Sequence, residues 1–242
     1  MKVRLDELVV RRCLAADRDE AERLIRAGEI ILRSGRASSP GFLVDEVTDI
    51  ELKTRTELRG TLKLKGPYEQ WQISSEGKVC VDIGASTGGF TSLLLEDGAK
   101  KVYAIDVGHG QLDSKLRSDP RVVVMERVNA RYLEELPEVI DLFVIDVSFI
   151  SLDKILPAVR KIIDKQGNGA EVIALVKPQF ELGKATADRY KGVIKDPELQ
   201  RQALERIKQV AVDLGFQVLA ELPSPLRGPK GNQEWFVRLI KR

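Results

Sequence analysis

From Val79 onward the chain repeats one pattern: a short apolar run, a break, and then a stretch with helical spacing. The runs fall at 79–83, 102–106, 122–125, 142–146, 172–176, 216–222 and 235–240, with clear helical periodicity at 152–163 and 198–214. Short apolar runs read as strands buried on both faces, and their alternation with helices predicts a mainly parallel sheet covered on both sides. The last two runs are joined by a proline- and glycine-rich segment, 223–232, with no helix, so they are expected to form an antiparallel hairpin at one edge. The predicted fold is therefore α/β and Rossmann-like, with a seven-stranded, mostly parallel sheet and an antiparallel last strand. Ligands of such sheets bind beyond the carboxyl ends of the strands.

The first run ends in an acid and breaks into small residues, Asp82-Ile-Gly84-Ala-Ser86-Thr-Gly88-Gly-Phe90. Three chemistries use such a turn. The segment Gly84-Ala-Ser86-Thr-Gly88 fits the serine hydrolase elbow, but that site needs a later histidine, and the single histidine, His109, stands near the end of the next strand. A dehydrogenase expects Gly-x-Gly-x-x-Gly, which the spacing does not match. An acid ending the strand before a glycine- and serine-rich turn suits S-adenosylmethionine, whose ammonium Asp82 would attract and whose carboxylate would meet the loop's amides and hydroxyls. Gly84, Ser86 and Gly88 join Asp82 as candidates for the methionine end. Asp106, ending the second run, is placed to accept the ribose hydroxyls.

At 242 residues the chain can bury a full α/β domain and still carry a small module. Leu5, Leu8 and Val9 space as one helix, and Ala21, Leu24 and Ile25 as another, opened by Asp17 with Glu20 three residues on and stopped by Gly28. Short strands are expected at 30–32, 42–44 and 47–52 around turns at Gly35 and Pro40-Gly41. The net charge of +2 does not demand nucleic acid, yet residues 1–36 hold eight arginines and one lysine against seven acids. Cys13 and Cys80 lack nearby partners, and neither a metal-ligand cluster, a signal pattern nor a long uncharged apolar run is present. The expectation is a cytoplasmic protein without a resident metal or a membrane span. The predicted division is a module over 1–58, a linker over 59–76 and a catalytic domain over 77–242.

Two strand ends carry further chemistry. The run 142–146 ends in Asp146, followed by Val-Ser-Phe-Ile-Ser-Leu, and the run 172–176 is followed by Lys177 within Leu-Val-Lys-Pro-Gln-Phe-Glu. An acid and a lysine ending adjacent strands face one crevice, either as a structural ion pair or as a reactive one. These segments, with the glycine turn, Asp106-Val-Gly-His-Gly-Gln-Leu, Asn129-Ala-Arg and Gly228-Pro-Lys-Gly-Asn-Gln-Glu234, resemble the TlyA or haemolysin A family, whose catalytic half is similar to FtsJ-type RNA methyltransferases. Arg4-Leu-Asp-Glu-Leu, residues 20–30 and Pro40-Gly41 likewise resemble the alpha-L RNA-binding domain.

The resemblance implies methyl transfer from S-adenosylmethionine to a ribose 2′-hydroxyl of ribosomal RNA, with cytidine as the nucleoside and rRNA or ribosomal subunits as partners. It also implies a catalytic tetrad, Lys63, Asp146, Lys177 and Glu234, with Lys65 a competing assignment for Lys63. A ribose hydroxyl attacks only as its proton leaves, and a lysine takes that proton only when neutral. Lys177 is the base in this reading, with Lys63 holding the hydroxyl, Asp146 orienting Lys177 and Glu234 positioning the lysines. Asn129 is expected at the adenine, and His109 lining or capping the pocket. Arg11, Arg12, Arg18, Arg23 and Arg26 are the expected phosphate contacts, and 183–195, with Lys184, Arg189, Lys191 and Lys195, reads as a mobile basic loop. The alternative, carried by the older family name, is a membrane-interacting haemolysin or a non-catalytic RNA-binding protein.

Overall fold

A computed structural model describes residues 2–241 except positions 13, 16, 27–29, 33–34, 37–38, 53–55, 168 and 229. Cys13 and the expected helix stop at Gly28 lie outside the described residues. The chain divides into two compact units, residues 1–55 and 56–242.

The first unit contains β1 (Lys2–Arg4), α1 (Leu5–Arg11), α2 (Arg18–Arg26), β2 (Ile30–Leu32), β3 (Gly35–Arg36), β4 (Leu43–Asp45) and β5 (Ile50–Leu52). β1 pairs antiparallel with β4, and β2 lies between β3 and β5. Gly35, expected at a turn, pairs with Leu32 across positions 33–34, which lie outside the described residues. Leu5, Leu8 and Val9 of α1 pack with Ala21 and Ile25 of α2 and with Ile30 and Leu32, the apolar positions that recur at helical and strand periods. Asp6 is wholly buried and accepts both arms of the Arg4 fork, at 3.0 and 2.7 Å, together with Arg18 Nε at 3.1 Å. The Arg4 guanidinium is the main reason its carboxyl titrates below the usual range.

The second unit begins with α3 (Thr56–Gln70) and continues through β6 (Val79–Ile83), α4 (Gly89–Glu96), β7 (Lys101–Asp106), α5 (Ser114–Ser118), β8 (Val122–Glu126), β9 (Leu142–Ile145) and α6 (Leu156–Gln166). β10 (Ala170–Val176), α7 (Pro178–Glu181), α8 (Lys184–Arg189), α9 (Pro197–Asp213), β11 (Gln217–Pro223) and β12 (Trp235–Lys241) complete it. The seven strands lie in the order β11-β12-β10-β9-β6-β7-β8. β12 runs antiparallel to both its neighbours, whereas the pairs β10/β9, β9/β6, β6/β7 and β7/β8 are parallel.

Successive strand residues point to opposite faces, and β6 shows the consequence. Val79, Val81 and Ile83 join the core beneath α6 and α9, while Cys80 joins Leu64, Tyr68, Phe90 and Leu94 on the face covered by α3 and α4. Asp82 shares the parity of Cys80, so it points toward α4.

Two expectations change here. Most of 59–76, expected as a linker, is helix α3, which docks closely on α4. A Cβ on Gly60 would lie 3.0 Å from Gly89 Cα, and Thr61 Oγ1 donates to Gly89 O at 2.9 Å. The strand opened by Glu234 was expected at the edge, but β12 lies inside the sheet, with β11 outermost.

Candidate active site

The carboxyl edge of the parallel strands gathers the acids. Asp82 sits one residue from the end of β6, Asp106 ends β7, and Asp146 follows β9, with its amide donating to Ile83 O at 2.9 Å. Lys177 follows β10. Because β12 runs the other way, its beginning lies at this same edge, and the pairing of Val176 with Trp235 sets Lys177 near Glu234. Lys63 comes from α3, carried in by the close approach of Gly60 to Gly89.

These four side chains form an alternating chain of charge. Lys63 Nζ donates to Glu234 Oε2 at 2.7 Å and lies 3.9 Å from Asp146 Oδ2. Lys177 Nζ is 2.5 Å from Asp146 Oδ1 and donates to Ser148 Oγ at 2.9 Å. Lys63, Lys177 and Glu234 are buried, at 7%, 6% and 1% exposure, so the two cations compensate two anions that water does not reach freely. Lys65, the competing lysine, is exposed and 3.8 Å from Glu69 on its own helix.

Two cavities meet at this edge. A cleft of about 200 Å³ is lined by Lys63, Asp82, Gly84, Ser86, Asp146 and Lys177. A larger cavity of about 600 Å³ is lined by Asp106, Gly108, Asn129, Val147 and Phe149 among others. Gly84, Ser86, Asp146 and Ser148 border both. Gly84 makes the junction possible: its φ is +87°, and a Cβ there would lie 2.4 Å from Asp146 O.

Asp82 is fully buried. Its Oδ2 accepts from the Thr91 amide at 2.9 Å and the Thr91 hydroxyl at 2.7 Å, while Oδ1 has no hydrogen-bond partner among the described residues. Burial pushes this carboxyl up to about 7. An unpartnered, buried carboxyl oxygen beside a cleft fits a cationic ligand group, since a buried acceptor left unmet is costly. Asp106 holds the loop above it, accepting from the Ser86 amide at 2.9 Å and the Gly108 amide at 2.7 Å.

Other expected residues fall differently. Gly88 opens α4 but is not among the residues lining either cavity, whereas its neighbour Gly89 lines the smaller one. Asn129 does line the larger cavity, with its Oδ1 accepting from the Arg131 amide. His109 is exposed and 3.1 Å from Glu126, so it does not line the cavity. The 183–195 stretch carries α8, and near its end Asn232 accepts from the Ile194 amide and donates to Gly192 O, both at 2.8 Å. The Lys184 side chain lies outside what is described.

In the first unit, Arg11 pairs with Glu7 at 2.6 Å and Glu46 at 3.0 Å, and Arg26 pairs with Glu22 at 3.2 Å. Arg18 is tied to Asp6, Arg12 donates to Glu46 O at 3.2 Å, and Arg23 is exposed. Sequence reasoning missed Thr91, Arg59 and Ser148. Thr91 had a signal, standing nine residues after Asp82 in the first turn of the following helix; Arg59, which lines the smaller cleft, and Ser148 had none beyond adjacency to assigned residues.

The strand order, with its reversed β12, and the two-chambered cleft above the glycine turn define a Rossmann-like methyltransferase of the S-adenosylmethionine-dependent class. A solved structure from Listeria monocytogenes that carries the name of an S-adenosylmethionine-dependent methyltransferase shares the fold, with a TM-score of 0.57 at 16% identity over 76% of this chain and 99% of that one. The FtsJ-like methyltransferase family model matches residues 57–241. The chain belongs to this family and, within it, to the TlyA/hemolysin A group. The 16S/23S rRNA (cytidine-2′-O)-methyltransferase TlyA of Mycobacterium tuberculosis is 43% identical over 98% of this chain and 90% of its own length. Hemolysin A of Brachyspira hyodysenteriae is 39% identical over 98% of this chain and all of its own. A solved structure from Streptococcus thermophilus that carries the hemolysin name has a TM-score of 0.74 at 41% identity, covering 99% of this chain and 88% of that one. Among the described residues no helix is long and apolar enough to cross a membrane, and no three potential ligands gather to hold a metal ion.

Proposed function

We propose that this protein methylates the 2′-hydroxyl of a cytidine ribose in ribosomal RNA, using S-adenosylmethionine. The observation that carries the reading is the chain Glu234–Lys63–Asp146–Lys177, three of its members buried, at the mouth of the cofactor cavity. Similarity to relatives named as rRNA cytidine-2′-O-methyltransferases supports the substrate class. When bound, the cofactor supplies a methyl group already activated by its sulfonium.

The chain's own residues do the rest. Lys177, in its neutral form, takes the proton of the ribose hydroxyl on Nζ. Lys63 holds that hydroxyl's oxygen, Asp146 orients Lys177, and Glu234 fixes Lys63 through the 2.7 Å bond. Asp82 receives the cofactor's ammonium on its unpartnered Oδ1, with Gly84 and Ser86 along the methionine end. Asp106 takes the ribose and Asn129 the adenine. The first unit serves as the RNA-binding module, with Arg11, Arg12, Arg18, Arg23 and Arg26 meeting phosphates, which guanidinium forks suit, and with Arg11, Arg18 and Arg26 exchanging or sharing their acidic partners to do so. Such a substrate places the protein in the cytoplasm with ribosomes.

The test is to incubate the protein and methyl-labelled cofactor with free rRNA and with intact subunits, then map the label. Label on a ribose 2′-oxygen is expected. Label confined to bases or to protein overturns the proposal.

A further inference from the structure

The Lys177 amine has two neighbours at hydrogen-bonding distance, one acidic and one neutral. Asp146 Oδ1 lies 2.5 Å from Nζ, as its ion-pair partner. The amine also donates to Ser148 Oγ at 2.9 Å. Ser148 stands two residues beyond Asp146, in the loop that joins β9 to α6, and borders both cavities.

That loop is held at two points to the segment that carries Lys177. Ser148 is one. At the far end Ser151 Oγ donates to Glu181 of α7, which also accepts from the Leu152 amide at 3.1 Å. Between the two anchors Phe149 has a φ of +64°, a left-handed conformation that a non-glycine residue keeps only where its surroundings enforce it. Ser148 is thus held against Lys177 by a constrained loop.

A lysine amine has three directions beyond its Cε, filled by three N–H bonds in the ammonium and by two and a lone pair in the neutral form. Asp146 and Ser148 occupy two of them. We propose that Ser148 is a positioning residue for methyl transfer. By accepting one N–H it fixes the rotation of the Lys177 amine, leaving the third direction to the ribose hydroxyl, whose proton passes to the lone pair there. This rests on the reading of Lys177 as base.

The experiment compares wild type, Ser148→Ala and Ser148→Thr in steady-state methylation of rRNA, with cofactor affinity and thermal melting measured alongside. Ser148 is exposed, so both variants are expected to melt within about 2 °C of wild type. Ser148→Ala is expected to lower kcat about 10-fold or more, with KM for RNA and Kd for cofactor changed by less than about twofold. Ser148→Thr keeps the hydroxyl and is expected to recover most of that loss, which a purely structural role would not produce. With wild type active, an unchanged kcat in Ser148→Ala, or a threonine variant as slow as the alanine one, overturns the positioning role alone. Absence of ribose methylation by wild type overturns the underlying reading and this role with it.

Discussion

Lys63→Met tests whether the alternating charges hold the fold together as well as the site. The substitution keeps a long flexible side chain but removes the ammonium, leaving Glu234 with a side chain 1% exposed and its 2.7 Å partner gone. Breaking a buried ion pair from one side costs about 3–5 kcal/mol, because the remaining charge is neither paired nor solvated. For a unit of this size each kcal/mol moves the melting temperature by about 2–4 °C, so the second unit should melt roughly 6–20 °C lower. Adding Glu234→Gln removes the stranded charge, and the double variant should recover much of that loss. Methyl transfer should fall by at least about 10²-fold in both, the scale of a lost acid–base group. The assay is calorimetric melting of wild type, both single variants and the double, with methylation of rRNA measured on the same samples. A Lys63→Met protein that melts within about 2 °C of wild type, or a double variant no more stable than that single, would refute the claim that burial makes the pair interdependent.

Four further outcomes follow from the site. Lys177→Ala should abolish methyl transfer while cofactor affinity, measured by titration calorimetry, stays within about threefold; normal turnover would sink its assignment as base. Gly84→Ala should be destabilised by about 2–5 kcal/mol, combining a left-handed backbone cost of about 1–2 with overpacking of about 1–3 against Asp146 O, and a melting curve matching wild type would contradict this. Asp82 holds its proton up to about 7 in the folded chain against the ordinary 3.8, so the folded state binds more protons between those values and stability should fall as pH rises through that window, by at most about 1.4 kcal/mol per unit. The ionised form is the one that attracts an ammonium, so cofactor binding should tighten from about pH 6 to 8 in wild type and lose that dependence in Asp82→Asn; a pH-independent wild-type affinity would count against Asp82 as the ammonium's partner.

What could be read from the chain, and what could not, follows from the range of the forces involved. Strand positions are local: a period of two puts Val79, Val81 and Ile83 on one face of β6, and the glycine turn after Asp82 marks the ligand edge before any tertiary contact is known. The assembly of the tetrad is not local. Helix α3 was hidden because Gly60, Gly66 and Pro67 punctuate it as they would a linker, yet Gly60 is there so that α3 can approach Gly89. That approach turns Lys63 from a solvated lysine into a buried one.

Glu234 looked like a surface charge because a hairpin of consecutive strands gives no sign of which strand is outermost. The sheet places β12 between β10 and β11, and only that order buries Glu234 against Lys63. Residue types alone could nominate Asp146 and Lys177, since both follow strands that end at one edge. They could not nominate Ser148, whose role depends on a 2.9 Å bond and on a loop pinned at Glu181. The donor half of the site is thus written in a contiguous turn, whereas the acceptor half exists only where α3, the β9–α6 loop, the end of β10 and the start of β12 converge.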